Sequence, residues 1–352
     1  MWLTANRDLQ EARDLSTLKD VAEVAGVSVA TVSNVLTGKR SVSPELAARV
    51  RTAVKQLNYV PNLLASGLRS GETKTIGLVL PDNSNPFFAE LSCAIEDEGF
   101  RAGYNVVLCN THNKAERAEA YINTLLAQKV DGVLFISSGC DDAILRQLLL
   151  HAMPVTLIDR ELPLAEPDMI LVDNRQAGRA ATSYLLGLGH REIACLAGGT
   201  DLQPSNDRVA GYMDAMAEVE GAVPHRVMHV DFSYEAGRQA SLEILSKPVR
   251  PTAIFACNDL LALGVLSGAR SLGMDIPADL SLLGFDGISL TSAVSPAIAT
   301  MRQPVRALAN AALESLLRRM SPRDDGQGRR IVLSATLMEG ESCAPPRSIA
   351  SS

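Results

Sequence analysis

Aromatic residues are scarce, at 4% of 352 residues with a single Trp, and the six cysteines form no C-x-x-C pair. Cysteines scattered at 93, 109, 140, 195, 257 and 343 exclude a zinc ribbon, a redox dithiol motif and a disulfide scaffold. They read as small core residues of a protein kept in a reducing cytoplasm. No uncharged apolar run reaches the roughly 18 residues of a membrane-spanning helix, so no membrane partner is expected. Met1 to Gln10 has no basic-then-apolar secretory pattern. G-x-G-x-x-G, Walker, H-E-x-x-H and G-x-S-x-G signatures are all missing. The five histidines, at 112, 151, 190, 225 and 229, fall in no ligand spacing. No catalytic residue, metal or cofactor is therefore expected. A hydrophobic fraction of 47% with 21% charged residues is ample for packed cores, and the length calls for two or three domains.

Charge is unevenly spread. Residues 16–74 carry eight Lys/Arg against four Asp/Glu, a net +4, on a chain whose total is −7. A basic head on an acidic body is the footprint of a nucleic-acid-binding module joined to something else.

Residues 1–15 are polar and read as an extension. From Ser16 the pattern sharpens into a helical domain over 16–60. Thr17 can cap a helix carrying Leu18, Val21, Ala22 and Ala25 at helical spacing. Gly26 permits a tight turn and Val27 packs into the angle. Ser28 caps a second helix with Val32, Val35 and Leu36 inward, which Gly38 stops. Ser43, Pro44 and Glu45 open a third helix carrying Leu46, Val50, Val54 and Leu57. Such an arrangement is a helix-turn-helix. The outer face of its second helix, Val29, Ala30, Thr31, Ser33 and Asn34, is small or hydrogen-bonding, as insertion into a DNA groove requires. Residues 61–73 are either a linker or a helix that forms on docking.

From Lys74 short apolar runs alternate with amphipathic helical stretches. The runs include Ile76–Leu80, Val106–Cys109, Gly132–Ile136, Val155–Ile158, Ile170–Val172, Ile193–Leu196, Ala253–Ala256 and Leu280–Phe285. Helices are expected at Phe87–Ala102, Lys114–Gln128 and Gln176–Leu188. This alternation predicts parallel sheets covered by helices, and the length suggests two of them over 74–341, before a tail at 342–352. Ligands in such folds sit beyond the carboxyl ends of strands. Several run ends there are polar: Pro81-Asp82-Asn83, Asp159-Arg160, Asp173-Asn174, Asn258-Asp259 and Asp286.

Over about residues 16–345 the chain resembles the LacI/GalR family of bacterial transcription regulators. The run Thr17 to Leu36 resembles the family headpiece throughout. Asn85-Pro-Phe-Phe88 with Ala89 to Leu91, Gln128 to Val133, Gly189-His190-Arg191, Gly284-Phe285-Asp286 and the Met301-Arg302-Gln303-Pro304 spacing resemble its body. The resemblance implies an all-α helix-turn-helix headpiece and a body like a periplasmic sugar-binding protein, with two α/β lobes around a cleft crossed by three strands. It implies a repressor that binds a palindromic double-stranded DNA operator as a homodimer, under control of a small effector. The end, Ala344 to Ser352, carries prolines and no heptads, so assembly beyond the dimer is not expected.

Residue by residue, the family pattern sets Val29, Ala30 and Asn34 against base edges, Asn34 pairing two-pronged with adenine. Thr17, Ser28, Thr31 and Ser33 would fix the register on phosphates. Leu68 matches the position that wedges into the minor groove, and Arg69 follows it. Gly67 departs from the family pattern and weakens a hinge helix by about 1 kcal/mol relative to Ala. For the cleft, the resemblance points to Phe87, Phe88, Asp159, Arg160, Arg208, Phe232, Asn258 and Asp286. Thr200 to Asn206 contains no second arginine, which favours a sugar or sugar acid over a nucleobase. An enzyme and a free-standing sugar-binding protein are the competing classes. For the first, carboxylates exist but nothing pairs them with a nucleophile, and the second leaves the headpiece unexplained.

Overall fold

The computed structural model describes residues 16–37, 40–59, 72–136, 142–159, 167–220, 227–324 and 326–347. Leu68, Arg69 and Arg160, residues 1–15 and nearly all of the expected hinge lie outside them. The chain divides into two units, Met1–Thr73 and Lys74–Ser352.

The first unit holds α1 (Leu18–Ala25), α2 (Val29–Thr37) and α3 (Pro44–Gln56). Thr17 and Asp20 form a reciprocal capping box on α1, which closes on Gly26 in the left-handed region at φ 61°. Ser43 Oγ accepts from Leu46 N, with Pro44 in the first turn of α3. Val21, Ala22, Ala25, Val32, Val50 and Ala53 form the core, with Val27 packed against it. The third helix thus buries Val50 and Ala53, while Leu46 stays at the margin.

The second unit contains two six-stranded sheets. The strands are β1 (Thr75–Leu80), β2 (Asn105–Asn110), β3 (Gly132–Ile136), β4 (Val155–Ile158), β5 (Asp168–Val172), β6 (Ile193–Ala197), β7 (Val227–His229), β8 (Ala253–Ala256), β9 (Ser281–Asp286), β10 (Ala299–Arg302), β11 (Arg330–Leu333) and β12 (Thr336–Met338). The helices are α4 (Pro86–Arg101), α5 (Ala115–Ala127), α6 (Asp142–Leu150), α7 (Asn174–Gly187), α8 (Gln203–Ala217), α9 (Tyr234–Leu245), α10 (Asp259–Ser271), α11 (Leu290–Ala293) and α12 (Val305–Arg319). Sheet order is β11-β5-β4-β3-β1-β2 in lobe 1 and β12-β10-β9-β8-β6-β7 in lobe 2. Pairing is parallel except for β12 against β10. Strands β3, β4, β5, β6, β8 and β9 are buried along their whole length, the reason they read as continuous apolar runs.

The chain passes between lobes three times. It leaves β5 for α7 at Val172–Asn174. It returns from β10 through Gln303–Pro304 into α12, whose Leu308, Ala309, Ala312, Leu313 and Leu316 complete the lobe 1 core. It crosses last between β11 and β12. The buried Asp168 carboxylate pins the α12–β11 connection, accepting from Arg318 Nη2 at 2.7 and 2.9 Å and from Arg329 N at 2.8 Å.

Candidate functional site

On α2, Val32 is fully buried while Val29 stays 38% exposed, Ala30 is exposed, and Thr31, Ser33 and Asn34 are half-exposed. One helix therefore presents an apolar-and-amide face outward and anchors through the opposite side. Three residues expected to meet phosphates also hold the fold. Ser28 Oγ accepts from Thr31 N at 3.1 Å and bonds Thr31 Oγ1 at 2.9 Å. Thr17 N donates to Asp20 Oδ2 at 2.6 Å, which, with the Thr17 hydroxyl, holds the Asp20 carboxyl below its ordinary range. Arg49 of α3, part of the basic surplus, reaches back to the turn: its Nη2 donates to Ala25 O at 2.6 Å and Gly26 O at 3.2 Å. These are end-of-helix carbonyls that no residue of α1 satisfies.

In the second unit polar groups converge where strand ends of both lobes meet. Arg208 projects from α8, which lies against α7 so closely that Gly178 of α7 touches the Arg208 backbone, with no room for a Cβ. Arg208 is 3% exposed, and its guanidinium stacks 3.7 Å above the Phe285 ring. Its Nε donates to Asn174 Oδ1 at 2.8 Å and its Nη1 to Cys257 O at 2.6 Å. Asp286, at the end of β9 with φ 117°, accepts from Gln303 Nε2 at 2.8 Å. Behind it the buried Asp259 carboxylate accepts from Gly287 N, Ile288 N and Thr300 Oγ1 at 2.7, 2.9 and 2.7 Å.

Burial dominates the electrostatics. It raises the Asp159 carboxyl to about 6 despite Arg208 and Asn174, and Asp286 to about 7 despite Arg208 and Gln303. Asp259 rises to about 8, through burial and then the neighbouring Asp286 charge. Three buried polar atoms around this cluster have no hydrogen-bond partner: Asp159 Oδ1, Asn258 Nδ2 and Gln303 Oε1. Such atoms are costly to leave unmade unless something else occupies them. A cavity of about 290 Å³ opens beside Asp159, Asn174 and Asp207 at the seam of the lobes.

The structure thus brings Asp159, Arg208 and Asp286 together, with Asn258 adjoining through its cap on α10, where Oδ1 accepts from Leu261 N at 2.8 Å. Phe232 is part-exposed and its ring fills the space a side chain at Gly198 would occupy. Phe87 is different: at 3% exposure it belongs to the lobe 1 core with Leu91 and Ile95. Only Phe88, edge-on to it at 5.2 Å, keeps an open face. The first turn of α4 rotates one ring inward and leaves the next at the rim. Asn174 and Gln303 join the site beyond the residues that the resemblance points to. They lie at the end of β5 and before Pro304, and no periodicity marks which polar residue of a crossing turns inward. Among the described residues no group of three His, Cys, Asp or Glu could hold a metal ion, and no helix is long and apolar enough to cross a membrane.

Comparison with known proteins addresses both units. Residues 17–62 match the family described as bacterial regulatory proteins, lacI family. Residues 73–337 match periplasmic binding proteins and sugar binding domain of LacI family. The chain is 34% identical to the ribose operon repressor of Escherichia coli K12, over 92% of this chain and 99% of the relative. It is 36% identical to the transcriptional repressor PurR of Vibrio campbellii, over 88% and 93%. Among solved structures it is similar to the lac repressor dimer bound to operator and an anti-inducer, with TM-score 0.84, 27% identity, and 94% and 99% covered. It is also similar to a LacI family regulator from Enterococcus faecium with bound ribose, with TM-score 0.69, 28% identity, and 77% and 99% covered.

Proposed function

Since the chain belongs to the LacI family of bacterial regulatory proteins, we propose that it is a repressor whose hold on a palindromic operator is set by a small neutral sugar bound between its two lobes. The observation that carries the reading is the set of partnerless buried atoms, Asp159 Oδ1, Asn258 Nδ2 and Gln303 Oε1, around the stacked Arg208. Two acceptors and one donor match hydroxyl groups, which both give and take hydrogen bonds. A carboxylate ligand would meet Asp159 and Asp286, so a neutral sugar is favoured over a sugar acid. Phe88 and Phe232 would flank the ring, with Arg160 at the rim.

In the headpiece, Asn34, Val29 and Ala30 would read bases from the major groove, while Thr17, Ser28, Thr31 and Ser33 set register on the phosphates. Leu68 and Arg69, in the hinge at 61–73, would open the minor groove. A homodimer follows from the need for two half-sites, and the lac repressor relative is a dimer on its operator. The protein would act in the cytoplasm and carry no catalytic activity, its chemistry being binding alone.

The test is operator selection from a random duplex pool, followed by fluorescence anisotropy with and without D-ribose, since one relative is described with bound ribose. Palindromic sites, steep salt dependence and a sugar-dependent affinity are expected. Non-palindromic selection with flat salt dependence would overturn the DNA reading.

A further inference from the structure

Among the described residues, lobe 2 contributes one fully buried side chain to the lobe 1 core, with Leu263 packed at its edge. Ile288, two residues beyond Asp286, is 2% exposed and packs in the lobe 1 cluster with Phe87, Leu91 and Leu308 rather than in its own lobe. The next residue, Ser289, donates its backbone N–H to Glu90 Oε1 of α4 at 3.0 Å, across 199 positions of sequence. The turn is fixed on its other side by lobe 2, because Asp259 Oδ2 accepts from Gly287 N and Ile288 N. Asp286 itself is tied to the second crossing, its carbonyl accepting from Gln303 N at 2.9 Å and its carboxylate from Gln303 Nε2. Four consecutive residues therefore link the pocket, the lobe 2 scaffold, an inter-lobe crossing and the surface of lobe 1.

We propose that Glu90 and Ile288 are positioning residues that latch the lobes beside the pocket and set how strongly pocket occupancy changes operator binding. The inference rests on the reading of the chain as a ligand-controlled repressor. Neither side chain is assigned to the pocket; both act through the turn that carries Asp286. A ligand engaging the Asp286 carboxylate moves a segment whose next two residues are held by lobe 1, so it works against the latch or with it. A contact that differs between two lobe arrangements biases their equilibrium, and weakening it changes the coupling between sites.

The experiment compares the full chain with Glu90→Ala, Glu90→Gln and Ile288→Val. Hydrogen exchange by mass spectrometry follows the turn at 286–291 and the three crossings at 172–174, 302–305 and 333–336. Operator anisotropy is measured with and without D-ribose, and thermal midpoints report folding. Glu90→Ala is expected to exchange faster at Ser289 and at the crossings and to change the ratio of operator affinities by roughly five-fold or more, with the midpoint near wild type. Glu90→Gln keeps an oxygen facing Ser289 N–H and should behave as wild type. Ile288→Val should follow Glu90→Ala in a milder form. Wild-type exchange at the crossings in Glu90→Ala would overturn the latch. If D-ribose leaves the wild-type operator affinity unchanged, the choice of sugar fails, while exchange at the crossings still decides the latch.

Discussion

Arg208 and Asp286 lie 3.7 Å apart, both almost fully buried, yet the short hydrogen bonds of the guanidinium go elsewhere, to Asn174 and to the Cys257 carbonyl. The pair is thus a loose electrostatic contact inside a tight scaffold. That arrangement suits a pocket in which a hydroxyl ligand completes the network.

Replacing Arg208 tests the scaffold and the pocket together. Arg208→Ala leaves Asn174 Oδ1, Cys257 O and two buried carboxylates uncompensated, and should destabilise the body by about 3–5 kcal/mol. Arg208→Lys keeps the charge but not the planar fork. It should fold and lose at least tenfold in sugar affinity, about 1.4 kcal/mol, by titration calorimetry, while sugar-free operator binding stays near wild type. Normal sugar binding by the lysine variant would make Arg208 purely structural.

The raised carboxyls give a pH signature. Asp159, Asp286 and Asp259, near 6, 7 and 8, keep protons in the folded state that they lose near 4 when unfolded. The folded state binds more protons across that interval, so stability should fall as pH rises from about 4 to 8. Asp286→Asn should flatten the part of the thermal-midpoint slope that runs up to pH 7. Hydroxyl donors favour the ionised carboxylates, so sugar affinity should rise from pH 5.5 to 7.5 with protons released, measurable by calorimetry in buffers of different ionisation enthalpy.

In the headpiece, Asn34→Ala should relax preference at one base pair per half-site by roughly 1–3 kcal/mol. Leu68→Ala should instead weaken all good operators together, since a wedge contributes affinity rather than base choice. Competition binding across single-base operator variants separates the two patterns.

Arg49 makes the opposite prediction from a phosphate contact. Its guanidinium closes the turn carbonyls of Ala25 and Gly26, so Arg49→Ala should lower the headpiece melting transition by about 1 kcal/mol in the absence of DNA. Thr17→Ala, which removes the α1 cap, should cost about the same. An unchanged melting transition in Arg49→Ala would show that its bonds to the turn do not hold the headpiece together.

The approach of α7 to α8 is equally exposed to test. Gly178→Ala sets a methyl against the Arg208 backbone, and helix α8 must shift. A loss of about 1–3 kcal/mol is expected, as in overpacked cores, together with weaker sugar binding because Arg208 moves with its helix. Calorimetric unfolding and sugar titration of the same variant check both.

By itself the sequence determined the elements whose causes are local. Caps at Thr17, Ser28 and Ser43, the turn at Gly26 and the outward face of α2 depend on contacts within a few residues, and the structure shows them. Strands β3, β4 and β8 match their apolar runs end to end, because a parallel strand buried on both faces is apolar at nearly every position, Thr156 of β4 excepted. Only the tertiary structure decided what the ends of those strands meet. The polar end of the Ile170–Val172 run places Asn174 where ligands of such folds sit, but only the crossings between lobes turn Asn174 and Gln303 toward Arg208 and Asp286. The short strands β10, β11 and β12 take their place from pairing with distant strands, not from their own composition. Phe87 and Phe88 are adjacent and chemically identical, and a rotation of about 100° along α4 sends the first into the core and leaves the second at the rim. Polar strand ends mark where a site can form, but which distant side chains meet there is a property of topology.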